Sequence, residues 1–160
     1  MMKSKILLTN ISFALTASIL AILLGLTSNF ATFYMGGWAT AQDHLFEGLL
    51  ITAVFLIAWL LYGRVIGYKK EKGFLIFISL YWGIGGLISL IAIAMAPIGK
   101  FAIIVIPIDM IILVPTFALT YFYSYSSDTL YLVTIVSIIV SWSAGMIGYF
   151  LGYSLEKAKK

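Results

Sequence analysis

The sequence predicts an all-α, polytopic integral membrane protein, one helical bundle of five hydrophobic helices, and three observations carry that prediction. Of 160 residues, 62% are hydrophobic and 10% charged, whereas a soluble globular domain carries about 25% charged residues. The apolar residues gather into runs of about 20 or more, the length that crosses a ~30 Å hydrocarbon core at about 1.5 Å per residue. Lys and Arg lie in short flanks of these runs, the placement that orients spans in a bilayer and not that of a polyanion site, so nucleic acid is not an expected partner. The runs occupy residues 6–27, 48–67, 73–96, 101–124 and 130–153. Together they leave room for one transmembrane domain, residues 1–160.

Met1-Met2-Lys3-Ser4-Lys5 before the first run imitates a signal peptide. The run exceeds an h-region of roughly 7–15 residues and no small-x-small cleavage site follows, so it is expected to be a span. Asn10, Ala14, Ala17, Ala21 and Gly25 recur along it at three- and four-residue spacing, a narrow face that lets a neighbouring helix approach.

The stretch 28–47 turns aromatic and polar without a Lys or Arg, as befits a non-cytoplasmic interfacial loop. Asp43, His44 and Glu47 form a candidate extracytoplasmic cation cluster. One histidine and two acids make a thin ligand set for a metal, and acids at the start of a helix are equally explained by capping and the helix dipole. No metal site is assigned from it.

The second run ends in Trp59, Tyr62 and Tyr68, read as an aromatic belt at the membrane rim. Gly63 and Gly67 are four apart, but their place at the rim makes them a weak packing signal. Arg64, Lys69, Lys70 and Lys72 then form the most basic loop of the chain, expected to be cytoplasmic together with the N-terminus. In the third run Ser79, Gly83 and Gly86 line one side. Trp82-Gly83-Ile84-Gly85-Gly86 lacks the preceding strand and the Lys-Ser/Thr of a phosphate loop, which leaves helix packing as the role of Gly83 and Gly86.

The fourth run holds the most costly residue: Asp109, between Pro107 and Pro115 among aliphatic side chains. It lies nine residues past Lys100, ~13 Å in and near mid-membrane. A carboxylate there costs at least ~3 kcal/mol to insert, so it should face the bundle interior and find a partner. Thr116, Thr120 and Tyr123 follow on a partly polar stripe. The two prolines remove amide donors, favouring a kinked or unwound segment. Desolvation raises a carboxyl pKa, which suits a proton or cation relay. The fifth run carries Thr134, Ser137, Ser141, Gly145, Gly148 and Gly152 on one continuous small face, the strongest helix-packing signature here.

Charge and length conflict over topology. Five crossings from a cytoplasmic N-terminus put Lys100 and the tail lysines Lys157, Lys159 and Lys160 outside. Four spans plus a re-entrant Pro-rich fourth segment leave only Lys100, of ten basic residues, on the wrong side. Hydropathy and the length of the fourth segment favour five crossings, the arrangement expected here.

The chain's two ends resemble the integral-membrane substrate-binding components of energy-coupling-factor vitamin transporters, in the Lys-flanked first helix with Ala17, Ala21 and Gly25 and the Gly-rich last helix ending in Lys. That family has six helices with both ends inside, against five segments here, so neither membership nor a binding residue is taken from it.

No enzyme is expected. Cysteine is absent, His44 is the only histidine, and no GxSxG, HExxH or Walker sequence occurs. Every lysine is in a flank, far from Ser137 or Ser141, so no nucleophile–base pair assembles. No cofactor is implied. The expected function is a small transport-type protein or transporter subunit of the cell membrane in which Asp109 relays or senses a proton or cation. The alternative is a non-catalytic accessory or assembly subunit of a larger membrane complex. Expected partners are the lipid bilayer and other membrane subunits or further copies of the chain.

Overall fold

A computed structural model of the chain describes residues 4–27, 45–95 and 127–158. They form four helices: α1 (Ser4–Thr27), α2 (Leu45–Tyr68), α3 (Gly73–Met95) and α4 (Ser127–Lys157). All four are long and apolar enough to cross a membrane, so the described chain is all-helical and compatible with a multi-pass membrane protein. The sequence suggests five such helices. The remaining run, 101–124, lies outside the described residues.

Local sequence accounts for the helix ends. Glu47 sits in the first turn of α2 and Lys157 in the last turn of α4, each opposite in sign to the partial charge of its helix terminus. Helix α2 closes through paired backbone bonds, Lys70 N–H to the Gly67 carbonyl at 2.9 Å and Glu71 N–H to the Ile66 carbonyl at 3.3 Å. That is a Schellman termination, which needs a left-handed residue just past the helix. Lys70 fills that position at φ 57°, where glycine is the usual occupant. The turn is complete within four residues, and α3 starts at Gly73.

Inter-helix contacts fix the directions. Asn10 meets Tyr62 and Phe13 meets Trp59, so α1 and α2 are antiparallel. Phe55 meets Trp82 and Tyr62 meets Phe74, so α2 and α3 are antiparallel as well. Helix α4 runs against α3, with Phe74 on Tyr149 and Gly86 on Ile138. It therefore runs parallel to α2, with Gly148 against Leu60 and Gly152 against Arg64. The start of α1, the 69–72 turn and the end of α4 consequently share one end of the bundle, where Lys70 forms an ion pair with Glu156. The parallel seam brings the end of α4 beside the basic loop.

The bundle is apolar outside as well as inside. Leu8, Leu50, Ile57, Ile76, Leu87, Ile139 and Phe150 are exposed, and a lipid environment accepts such a surface. Small and polar residues mark the buried faces instead: Asn10, Ala14, Ser18 and Ala21 on α1, and Val133, Thr134, Ser137 and Ser141 on α4. Trp59, Trp82, Phe74 and Ile78 fill the centre.

Candidate functional site

Two features stand out among the described residues: a glycine seam that fixes the helices, and an aromatic interior holding polar atoms without partners. The seam comes first because it positions the interior. Helices α2 and α4 each present two glycines four residues apart. A Cβ on Gly148 would lie 2.8 Å from the Leu60 carbonyl carbon, and one on Gly152 would lie 2.8 Å from both the Arg64 carbonyl carbon and the Tyr68 nitrogen. Reciprocally, a Cβ on Gly67 would lie 2.7 Å from the Tyr149 carbonyl carbon, and one on Gly63 would reach 3.0 Å from the Tyr149 nitrogen. Separations under 3.0 Å from backbone cannot be relieved by a side-chain rotation. Sequence reasoning discounted Gly63 and Gly67 as rim residues. They are buried in the seam because the Gly145–Tyr149 stretch of α4 runs directly against them.

The other packing candidates divide. Gly145 and Gly86 face the ends of flexible side chains, Ile78 Cδ1 and Ile138 Cδ1 respectively, so extra bulk there can be met by a rotamer change. Gly83 is exposed, and among the described residues nothing lies within 4 Å of the Cβ it lacks.

Held by this seam, the rings of α1, α2 and α3 form a continuous cluster. Trp59 and Trp82 pack edge to face with centroids 5.6 Å apart, and Tyr81 lies 5.7 Å from the first and 5.2 Å from the second. Phe13 closes over Trp59 at 5.2 Å and stacks on Tyr62 at 3.8 Å. The sequence suggests Trp59 as part of a rim belt, yet it is 0% exposed. The usable signal is its distance from the helix end: nine residues before Tyr68 is about 13 Å, well inside a ~30 Å core.

One strong polar contact crosses this region. Tyr62 donates its hydroxyl hydrogen to Asn10 Oδ1 at 2.7 Å. The other polar atoms are less well served: Asn10 Nδ2, Trp59 Nε1, Trp82 Nε1, Thr52 Oγ1, Ser89 Oγ and Ser141 Oγ are buried without a hydrogen-bond partner among the described residues. Buried donors left unmet are costly, about 1–3 kcal/mol each. The three nitrogens can only donate and the hydroxyls can do either, so the interior is rich in donors and suits a hydrogen-bond acceptor. It holds no carboxylate, histidine or cation among the buried described residues. By itself it can bind and orient, but it has no group that exchanges protons near neutral pH.

The residues expected from sequence to carry that exchange, Asp109, Thr116, Thr120 and Tyr123, lie outside the described residues, as do Asp43 and His44. Glu47 is described and half-buried in the first turn of α2. Among the described residues no group of three or more His, Cys, Asp or Glu side chains comes together. No family model, no curated protein and no solved structure matches the chain.

Proposed function

We propose that this chain is a small, non-enzymatic, multi-pass protein of the cell membrane, of transport type or a subunit of a transporter, in which Asp109 relays or senses a proton or cation. The observation that carries the reading is the set of buried donors without partners at the bundle centre. Trp59 lies nine residues before the end of α2 and Trp82 nine after the start of α3, each about 13 Å from the loop end. Asp109 lies ~13 Å past Lys100 by the same arithmetic. A carboxylate at mid-membrane needs donors in its ionised form, and the interior has donors in need of an acceptor. Exchange between a solvated cation and such a site alters the protonation of the acid, which is what a relay requires.

The finer topology we propose is four crossings with the Pro-rich 101–124 segment entering and leaving on the side opposite the basic loop, in place of five crossings. Its support is that the end of α3 and the start of α4 lie at the same end of the bundle, as their antiparallel packing requires. Nine of the ten basic residues then share one side, which the positive-inside rule makes cytoplasmic. Thr52 and Ser89, about 24 Å from the loop end, belong to the half such a segment would enter.

Flux in proteoliposomes tests the reading. A pH-dependent flux abolished by Asp109→Asn, with the variant still inserted and monodisperse, supports it. Undiminished flux in Asp109→Asn removes the relay.

One observation favours the second reading, an accessory or assembly subunit. The glycines of α4 are occupied within the chain, but Gly83 is open on the outward face of α3, where a partner helix could approach closely. A co-purifying subunit lost in Gly83→Leu supports assembly through this face, and one retained in that variant argues against it.

A further inference from the structure

The described charges are sorted along the bundle. At the loop end stand Lys5, Arg64, Lys69, Lys70, Lys72 and Lys157, against Glu71 and Glu156, while the opposite end carries Glu47. Two of the cations are engaged within the chain: Lys70 pairs with Glu156, and Lys157 lies 5.2 Å over the Tyr153 ring. Arg64, Lys69 and Lys72 are exposed and form no ion pair among the described residues. They are not on a loose tail. Arg64 stands on α2 where Gly152 packs on its backbone, and Lys69 and Lys72 belong to the Schellman turn, which the Lys70 to Glu156 pair ties to the end of α4.

Alongside Arg64 and below the two lysines runs an exposed apolar stripe. Ile57, Leu61, Val65 and Tyr68 are 55%, 50%, 52% and 45% exposed, and with Arg64 they recur at helical spacing along one side of α2. From Ile57 to Tyr68 the stripe is about 16 Å long, close to one leaflet of a ~30 Å core.

We propose that this side of α2 is a binding surface for an anionic phospholipid. The acyl chain lies along Ile57, Leu61 and Val65, and the phosphate is held by Arg64 with Lys69 and Lys72. The continuity of apolar stripe and cationic rim selects a lipid over a soluble anion, which would use the rim alone. An acidic protein would likewise leave the stripe uncovered. Arg64 supplies a planar fork that takes two phosphate oxygens, and the lysines supply point charges at the loop end above it. The orienting effect of basic loops explains the sign of this end. It does not explain why Arg64, Lys69 and Lys72, with no ion pair among the described residues, border a helix face of leaflet length. The proposal is independent of the role of Asp109.

The test is native mass spectrometry of the full chain in detergent, titrated with phosphatidylglycerol or phosphatidylcholine of identical acyl chains. The wild-type chain should retain phosphatidylglycerol preferentially. Arg64→Gln/Lys69→Gln/Lys72→Gln should lose about fivefold in retention for each charge removed, and Lys157→Gln should retain it fully. Val65→Ser, which leaves the charges in place, should weaken both lipids. Equal retention of the two lipids by the wild type overturns the proposal, as does undiminished phosphatidylglycerol binding in the triple variant. Competition by poly-glutamate peptide that fully displaces the lipid, with no effect of Val65→Ser, overturns it in favour of an acidic protein. Should the triple variant fail to insert, Lys69→Gln alone carries the same expectation at one fivefold step.

Discussion

Gly148 of α4 lies so close to Leu60 of α2 that a methyl group at position 148 would fall 2.8 Å from the Leu60 carbonyl carbon. The obstacle is backbone, so the helices themselves must separate. Gly148→Ala should therefore destabilise the bundle by about 1–3 kcal/mol, the range for forcing bulk into a packed interior. Gly86→Ala, which meets only Ile138 Cδ1, should cost clearly less. Gly83→Ala meets nothing among the described residues and should be neutral or gain up to ~1 kcal/mol from helix propensity. Steric trapping or denaturant unfolding in micelles gives the three values. An order in which Gly83→Ala is the most damaging would contradict the parallel α2–α4 seam.

The Tyr62 to Asn10 hydrogen bond joins the first two helices at 2.7 Å, with Asn10 fully buried. Its Nδ2 already lacks a partner among the described residues. Removing the phenol in Tyr62→Phe would leave both polar ends of the amide unmet. Interhelical bonds of this kind average ~0.6 kcal/mol and reach about 1.7 kcal/mol, and Tyr62→Phe should fall at the upper end because of the stranded amide. Asn10→Leu removes the stranded group together with the bond. In that background Tyr62→Phe should cost little, and a double-mutant cycle with no coupling would refute the pairing.

The contrast between these two contacts shows what the sequence could reveal. Insertion demands about 20 apolar residues per span, so the four described helices were legible to within a few residues at their ends. Faces were legible too, because small residues at three- and four-residue spacing stand out in an apolar helix: Asn10, Ala14 and Ala21 are buried together. Which face meets which helix was not, since periodicity carries no information about the partner. Gly63 and Gly67 look peripheral in sequence, yet Gly145 and Tyr149 of α4 pack directly on them. Trp59, taken for a rim residue, is enclosed by Phe13, Phe55, Tyr81 and Trp82. The direction of the last helix was illegible for another reason: hydropathy fixes a span's length and not its direction, and the parallel run of α4 beside α2 comes from their glycine contacts. The candidate interior was hidden because single Ser, Thr and Trp residues in a span give no signal until they converge.

Lys70 combines two effects of opposite sign. Its left-handed backbone at φ 57° costs a non-glycine residue about 1–2 kcal/mol, while its side chain pairs with Glu156 at partly exposed positions, worth about 0–1 kcal/mol. Lys70→Ala keeps the strain and loses the pair. Lys70→Gly loses the pair and relieves the strain, so it should be more stable than Lys70→Ala by about 1 kcal/mol. Glu156→Gln should cost less than ~1 kcal/mol, and the loss should shrink in high salt. Thermal unfolding of the three variants at two salt concentrations measures this. Equal stability of the glycine and alanine variants would place Lys70 outside the left-handed region.

Sidedness gives the sharpest test of the arrangement, and the chain suits it because it contains no cysteine. Lys69→Cys reports the basic turn and Ala158→Cys reports the end of α4, each as a single thiol in an otherwise unreactive background. The parallel seam brings both to the same end of the bundle, where Lys70 and Glu156 meet. A membrane-impermeant maleimide added to intact cells should therefore treat the two positions alike, and both should react once the membrane is opened. With the basic turn cytoplasmic, neither should label in intact cells. Labelling of position 158 but not 69 in intact cells would mean an odd number of crossings between the turn and the tail's side. Such a result would break the α2–α4 pairing and favour five spans with the tail outside.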